Sequence, residues 1–309
     1  PEPARELADE LVSAVGAELS YAFGFCGVLN GHTQGVMSCS FSLDGKKLAS
    51  ASNDKTVRLW DAITGNCEQL LKGHTDCVNT ASFSPDGRKL VSASDDTNVR
   101  VWDATTGECQ WTLEGHTDYV NAASFSPDGR KVVSASSDHV LRVWDSTSGE
   151  CQQTLEGHTS GVSFAVFSPD STKLVSASTD RTMRMFDAPT GECEQIFEGH
   201  TSGVYSASFS PDGYKLVSAS ADQTTVWVWN ATTGECEQML EGHTAGVYSA
   251  SFSSDGSKLV SASYDKTVKV WSAKTAECEH TLEGHTKGVY SASFSPNSRK
   301  IVSSSGDKT

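Results

Sequence analysis

The triplet Gly-His-Thr returns seven times along this chain, and that rhythm constrains the fold more than any other feature. The copies begin at Gly31, Gly73, Gly115, Gly157, Gly199, Gly242 and Gly284, a step of 42 residues every time except one step of 43. A fixed period in the forties marks one supersecondary unit per copy, which buries its apolar faces only against its neighbours. Units that cannot stand alone make one domain, so the 309 residues read as a single array. The functional question becomes what surface seven such units present.

The fifth unit shows the pattern. Gly199-His200-Thr201 is a turn, and Val204 to Ser210 reads as a strand. Pro211-Asp212-Gly213 is a second turn, in which Pro presets φ and Gly accepts a positive one. Strands follow over Lys215 to Ser220, Val226 to Trp229 and Cys236 to Leu240. Four short strands per unit, punctuated by Gly, Pro and Asp, give antiparallel meanders. Apolar or small residues fall on both parities, which suits sheets covered on both faces. Val204 is out of phase with Ala207 and Phe209, and an extra residue near Tyr205, a β-bulge, restores all three to buried faces.

Carboxylates outnumber Lys and Arg by 39 to 24, for a net charge of −15. Phosphate recognition needs clustered cations, so a direct nucleic-acid role is excluded and basic partners are favoured. No apolar run reaches the ~18–20 residues of a membrane span. Six of the nine cysteines (Cys67, Cys109, Cys151, Cys193, Cys236, Cys278) occupy one repeated position. One thiol per unit leaves no pair for a disulfide or zinc site, and the expectation is a small buried hydrophobe in each copy. Free thiols at this density fit a cytoplasmic or nuclear setting.

Gly-His, then Ser-x-Asp, then Trp-Asp at these offsets resembles the WD-repeat family over residues 31–309. The resemblance implies an all-β fold, a seven-bladed β-propeller of four-stranded antiparallel blades around a central channel. It implies that each blade is pinned by a buried His, Asp, Ser and Trp. Those residues are His32, Asp54 and Trp60; His74, Asp96 and Trp102; His116, Asp138 and Trp144. They continue with His158 and Asp180; His200, Asp222 and Trp229; His243, Asp265 and Trp271; and His285 and Asp307. The serine of the second unit is Ser92 or Ser94. A Ser-His-Asp set invites a hydrolase reading, but one repeated in nearly every unit cannot be one active site. No catalytic residue, metal site or cofactor is expected.

Departures between units carry information. Phe186 stands where other units have Trp, so the fourth blade loses an indole donor and is expected to be the most weakly pinned. Trp227 replaces the arginine of the first four units, and Trp111 replaces a Gln or His; packing or a side contact for a partner would explain them. The seventh unit stops at Asp307-Lys308-Thr309, so the last blade is expected to be incomplete. Residues 19–29 carry a period-2 signal and, by the family's habit, supply its closing strand. Residues 1–18 are expected to form a short N-terminal helix or linker, since Leu7, Leu11, Ala14 and Val15 follow helical spacing.

In the family, partners bind the face that bears the turns between blades and the tight turns after the second strand. The positions here are Met37, Asp76, Asp95, Tyr119, Tyr205, Tyr248, Tyr264 and Tyr290, with acids in units two and three and tyrosines in five to seven. Such a rim suits a basic peptide or loop, by cation–π and charge-assisted bonds. The competing reading is a generic repeated rim, since Gly-Val-Tyr-Ser-Ala-Ser-Phe-Ser recurs unchanged in units five and six. The leading function is a non-enzymatic protein-interaction scaffold, monomeric as a propeller. An alternative is a sensing domain of a larger NACHT-type signalling ATPase, whose arrays show similarly low divergence. A ubiquitin-ligase adaptor is a third, but the family's Arg after Trp-Asp is replaced by Ile63, Thr105 and Thr147.

Overall fold

Each repeat becomes a sheet because its turns are chemically fixed and its strands are sandwiched between neighbours. A computed structural model describes residues 27–221 and 224–309. Among these, the strands assemble into six four-stranded antiparallel sheets and one two-stranded sheet. The first holds Val36–Phe41, Lys47–Ser52, Thr56–Asp61 and Cys67–Lys72, hydrogen-bonded in chain order. The fifth holds Val204–Phe209, Lys215–Ser220, Thr225–Asn230 and Cys236–Glu241, within one residue of the sequence expectation. The register of the innermost strand slips between Val204 and Ser206, so the bulge falls at Tyr205 as its phase break requires.

Turn chemistry sets the first hairpin of each blade. Ser84 Oγ donates to Asp86 Oδ1 at 2.6 Å and accepts from the Lys89 amide at 2.9 Å. Gly87 closes the turn with φ +69°, a conformation that favours glycine. The second strand is almost wholly buried in every full blade, and its alanines, such as Ala49 and Ala51, leave room for the next sheet. The core is therefore distributed between blades. Val91, Ala93, Val99 and Val101 of blade two pack with Val120, Phe125, Val132 and Trp144 of blade three. Burying each such aliphatic side chain contributes ~1.5–3 kcal/mol.

The ring closes between blades seven and one. A Cβ at Gly35 would lie 3.4 Å from Gly306 Cα, and one at Gly45 would lie 3.6 Å from Pro296 Cδ. Cys39 is buried at this seam, bonded to Ser291 and Ser304, and burial pushes its thiol up to about 12. Blade seven carries only Val289–Phe294 and Ile301–Ser305, so it is incomplete as expected. Leu29 packs with Val302 on the cluster built around Trp60. The helix expected over residues 1–18 lies outside the described residues, as do residues 19–26 of the expected closing strand; residues 27–29 are not strand.

The repeated cysteines are a correction. Cys67, Cys109, Cys151, Cys193 and Cys278 are exposed, and Cys236 is half-buried. They open the outermost strand of each blade, where no further strand covers the edge and only the residue near its end turns inward.

A propeller rim pinned by repeated polar quartets

The rim is held in place by a buried relay in each blade. In blade two, Trp102 Nε1 donates to Ser92 Oγ at 2.8 Å, Ser92 bonds His74 Nε2 at 2.7 Å, and His74 Nδ1 bonds Asp96 Oδ2 at 2.8 Å. One proton polarity fits: indole N–H to hydroxyl, hydroxyl to imidazole, imidazole N–H to carboxylate. The network serine is thus Ser92, while Ser94 donates to the Asp76 carbonyl and accepts from the Asp96 amide. Trp60, Trp144, Trp229 and Trp271 repeat the indole bond to Ser50, Ser134, Ser218 and Ser261. His32, His116, His158, His243 and His285 reach Asp54, Asp138, Asp180, Asp265 and Asp307 at 2.7–3.0 Å. His200 keeps its bond to Ser218 at 2.8 Å, whereas Asp222 lies outside the described residues.

The electrostatics agree with a neutral imidazole beside an ionised carboxylate. Burial lowers His32, His116, His158 and His243, outweighing the aspartates that would raise them. Burial alone would raise the Asp96 carboxyl, but bonds from His74 and the Thr75 amide hold it at about 2. Asp180, Asp265 and Asp307 are likewise held at about 2 against burial, by their Thr and His donors. Each aspartate also fixes the next residue in a left-handed conformation: Lys55, Thr97, His139, Arg181, Lys266 and Lys308 all have φ between 69° and 80°.

Three departures are explained. In blade four Ser176 keeps His158 at 2.7 Å, and buried Phe186 supplies bulk without a donor. Trp227 is packed inside, 8 % exposed, with its N–H on Thr225 Oγ1 at 3.0 Å. Trp111 is 40 % exposed. It lies along the Gly149 turn of the next blade, where a Cβ would meet its ring at 3.3 Å. Gln69 and Gln153, at the same strand position, instead donate to Thr105 and Pro189 carbonyls of their next blades at 2.6 and 2.7 Å.

On the rim, the structure brings four of the candidate residues together. Tyr248 is the hub, with ring centroids 5.3 Å from Tyr205, 5.4 Å from Tyr290 and 6.3 Å from Tyr264. Burial and the neighbouring tyrosines push the Tyr248 hydroxyl up. Gly288 lets this happen, since a Cβ there would lie 2.7 Å from the Tyr264 ring. A second group gathers at Asp95, whose carboxyl burial raises; the Asn79 bond at 2.7 Å opposes this, and Asp76, Asp96 and Asp118 add to it. Asp76 also faces Lys55 Nζ at 3.7 Å. Tyr119 is 52 % exposed and stands apart from the tyrosine cluster in blade three. Met37 occupies the bulge of blade one, the position that Tyr205, Tyr248 and Tyr290 hold in theirs. The sequence gives these bulge positions, but not that one tyrosine of a tight turn would join three from innermost strands.

Seven closed-ring blades pinned by these quartets define a propeller of the protein-interaction-scaffold class. The chain belongs to the WD domain, G-beta repeat family, whose model matches residues 24–61, 65–103, 107–145, 149–187, 191–230, 234–272 and 276–309. Each matched segment is offset from the sheets: residues 65–103 contain the outermost strand of blade one and the three inner strands of blade two. Among curated relatives, the chain is similar to Protein Mut11 of Chlamydomonas reinhardtii, 45% identical over 58 residues, 19% of this chain and 16% of that protein. It is similar to the vegetative incompatibility protein HET-E-1 of Podospora anserina, 49% identical over 37 residues, 12% of this chain and 3% of that protein. It is also similar to the Notchless protein homolog of Arabidopsis thaliana, 62% identical over 34 residues, 11% of this chain and 7% of that protein. The matches therefore span a small fraction of each relative.

Proposed function

We propose that this propeller is a non-enzymatic scaffold whose rim takes a basic peptide or loop, with Tyr248 at the centre of the contact. The observation that carries the reading is the convergence of Tyr205, Tyr264 and Tyr290 on Tyr248. Tyrosine offers a large apolar body with a polar tip and is favoured at interface centres. Asp76, Asp95 and Asp118 supply negative charge on the same rim, in a chain of net charge −15. The rigid quartets beneath mean that little ordering entropy is lost when a partner docks. The eight described cysteines are all free, which supports a reducing cytoplasmic or nuclear setting. Among the described residues no helix is long and apolar enough to cross a membrane.

The test is a displayed peptide library selected on the intact chain and on a Tyr205, Tyr248, Tyr290 triple-alanine variant. Enrichment of Lys- and Arg-rich peptides by the former alone, with circular dichroism unchanged, supports the rim. Enrichment of the same peptides by both discards it.

A further inference from the structure

The outer circumference carries chemistry that the rim does not use. In blades one, two and three an arginine of the third strand donates to the exposed cysteine that opens the fourth. Arg58 Nη1 lies 3.5 Å from Cys67 Sγ, Arg100 Nη1 3.6 Å from Cys109 Sγ, and Arg142 Nη1 3.7 Å from Cys151 Sγ. These guanidinium groups are seated by the fold. A Cβ at Gly31, Gly73 or Gly115 would meet Nη1 at 2.8, 3.3 and 3.3 Å, so the Gly of each Gly-His turn opens the space they fill. Arg58 and Arg100 also lie over the Trp60 and Trp102 rings, at 5.8 and 5.9 Å. Each sulfur thus has a fixed cation on one side and solvent on the other.

We propose that these three Arg–Cys pairs are sites of thiol–disulfide exchange with small anionic disulfides of the glutathione kind. The cysteine loses its proton to water, and its sulfur attacks one sulfur of the incoming disulfide. A new S–S bond forms to the protein as the old one breaks. The departing thiolate takes up a proton from water, so the cysteine is oxidised and half of the disulfide is reduced. The guanidinium stabilises the attacking sulfur's negative charge and pairs with the carboxylates of the incoming molecule.

The other blades are built-in controls. Cys109 and Cys151 each have one flanking carboxylate, Glu108 and Glu150, with Gln110 and Gln152 on the other side, and Cys67 has Asn66 and Glu68. Cys193, Cys236 and Cys278 each stand between two glutamates, which oppose charge on sulfur and repel an anion. In blade five Trp227 replaces the cation, and burial pushes the half-buried Cys236 thiol up. In blade six Lys269 turns its ammonium to Thr281 Oγ1 at 2.7 Å.

The experiment incubates the intact chain with oxidised glutathione and follows each cysteine by peptide mass spectrometry. Cys67, Cys109 and Cys151 are expected to react about five-fold or more faster than Cys193 and Cys278, with Cys236 slowest. With cystamine, a cationic disulfide, that order flattens or reverses. Arg100→Gln slows Cys109 by about three- to ten-fold and leaves Cys151 unchanged, and Arg100→Lys restores part of the rate. Equal rates at all exposed cysteines, the same order with both disulfides, or no effect of Arg100→Gln in a folded chain overturns the proposal. Should Arg100→Gln not fold, the wild-type order with the two disulfides decides alone.

Discussion

Trp227 lies against His200 with ring centroids 4.5 Å apart, in the place that arginine holds in blades one to four. Blade five has therefore exchanged a cation for a second buried indole, which also contacts Trp229 at 5.2 Å. Trp227→Ala is expected to cost ~3–5 kcal/mol, as for large-to-small changes in a packed core. Trp227→Arg should cost less, because the Gly-His turn above it accommodates arginine in other blades. Urea unfolding midpoints of the two variants check this ordering.

Blade four lacks the indole donor, and its innermost strand carries Phe164 and Val166 where blade one has Ser38 and Ser40. In blade one those hydroxyls bridge to the Ala81 amide and carbonyl of the next blade at 3.1 and 3.0 Å. Amide hydrogen exchange should open blade four first. Trp102→Phe, which imposes the same loss on blade two, is expected to cost ~0.5–1.5 kcal/mol. Equal protection of blades two and four would contradict the assignment.

The relay makes stability depend on pH. His32, His116, His158 and His243 titrate below their ordinary 6.5 when folded, so the unfolded chain binds more protons in that window. Their contribution is complete above about 6.5 and is lost as pH falls beneath it. Asp96, Asp180, Asp265 and Asp307 act lower, with a contribution lost from 3.8 down through about 2. Urea midpoints should fall in two stages between neutral and strongly acid pH. A flat profile between pH 7 and 5 would show that the histidines are not buried neutral.

Thr97 follows Asp96 at φ 69°, a left-handed conformation that a β-branched residue adopts with strain. Thr97→Asn is expected to stabilise by about 0.5–1 kcal/mol, since asparagine tolerates that region. Thermal melting measures it, and a lower midpoint would indicate that the threonine makes a compensating contact.

Gly288→Ala places a methyl 2.7 Å from the Tyr264 ring and so pushes that exposed ring away from its neighbours. Stability should change by about 0.5 kcal/mol or less, as for surface changes. Affinity for a basic peptide selected on the intact chain should fall, read by fluorescence anisotropy. Unchanged affinity would remove Tyr264 from the contact.

Much of this was legible because the units comment on one another. The period, the strands, the bulge at Tyr205 and the His-Ser-Trp-Asp set all follow from aligned copies. Ser92 and Ser94 could not be separated, because both lie two apart on one strand and so share a face; only the position of the indole chooses between them. The cysteines were misread for a related reason. Composition treats a thiol as an apolar filler, whereas exposure depends on whether another strand lies outside its own. The aromatic hub was out of reach, since Tyr264 and Tyr290 belong to different blades and meet only through the closure of the ring.

The offset between repeat and sheet has a genetic consequence. A segment such as 65–103 finishes one blade and begins the next, so unequal crossing-over between near-identical copies would insert or delete a piece already sewn to both sides. Such an exchange leaves every seam of the same kind and alters only how many wedges must share a full turn. Growth or shrinkage by whole copies is thus tolerated locally and judged globally, by whether the circle can still meet.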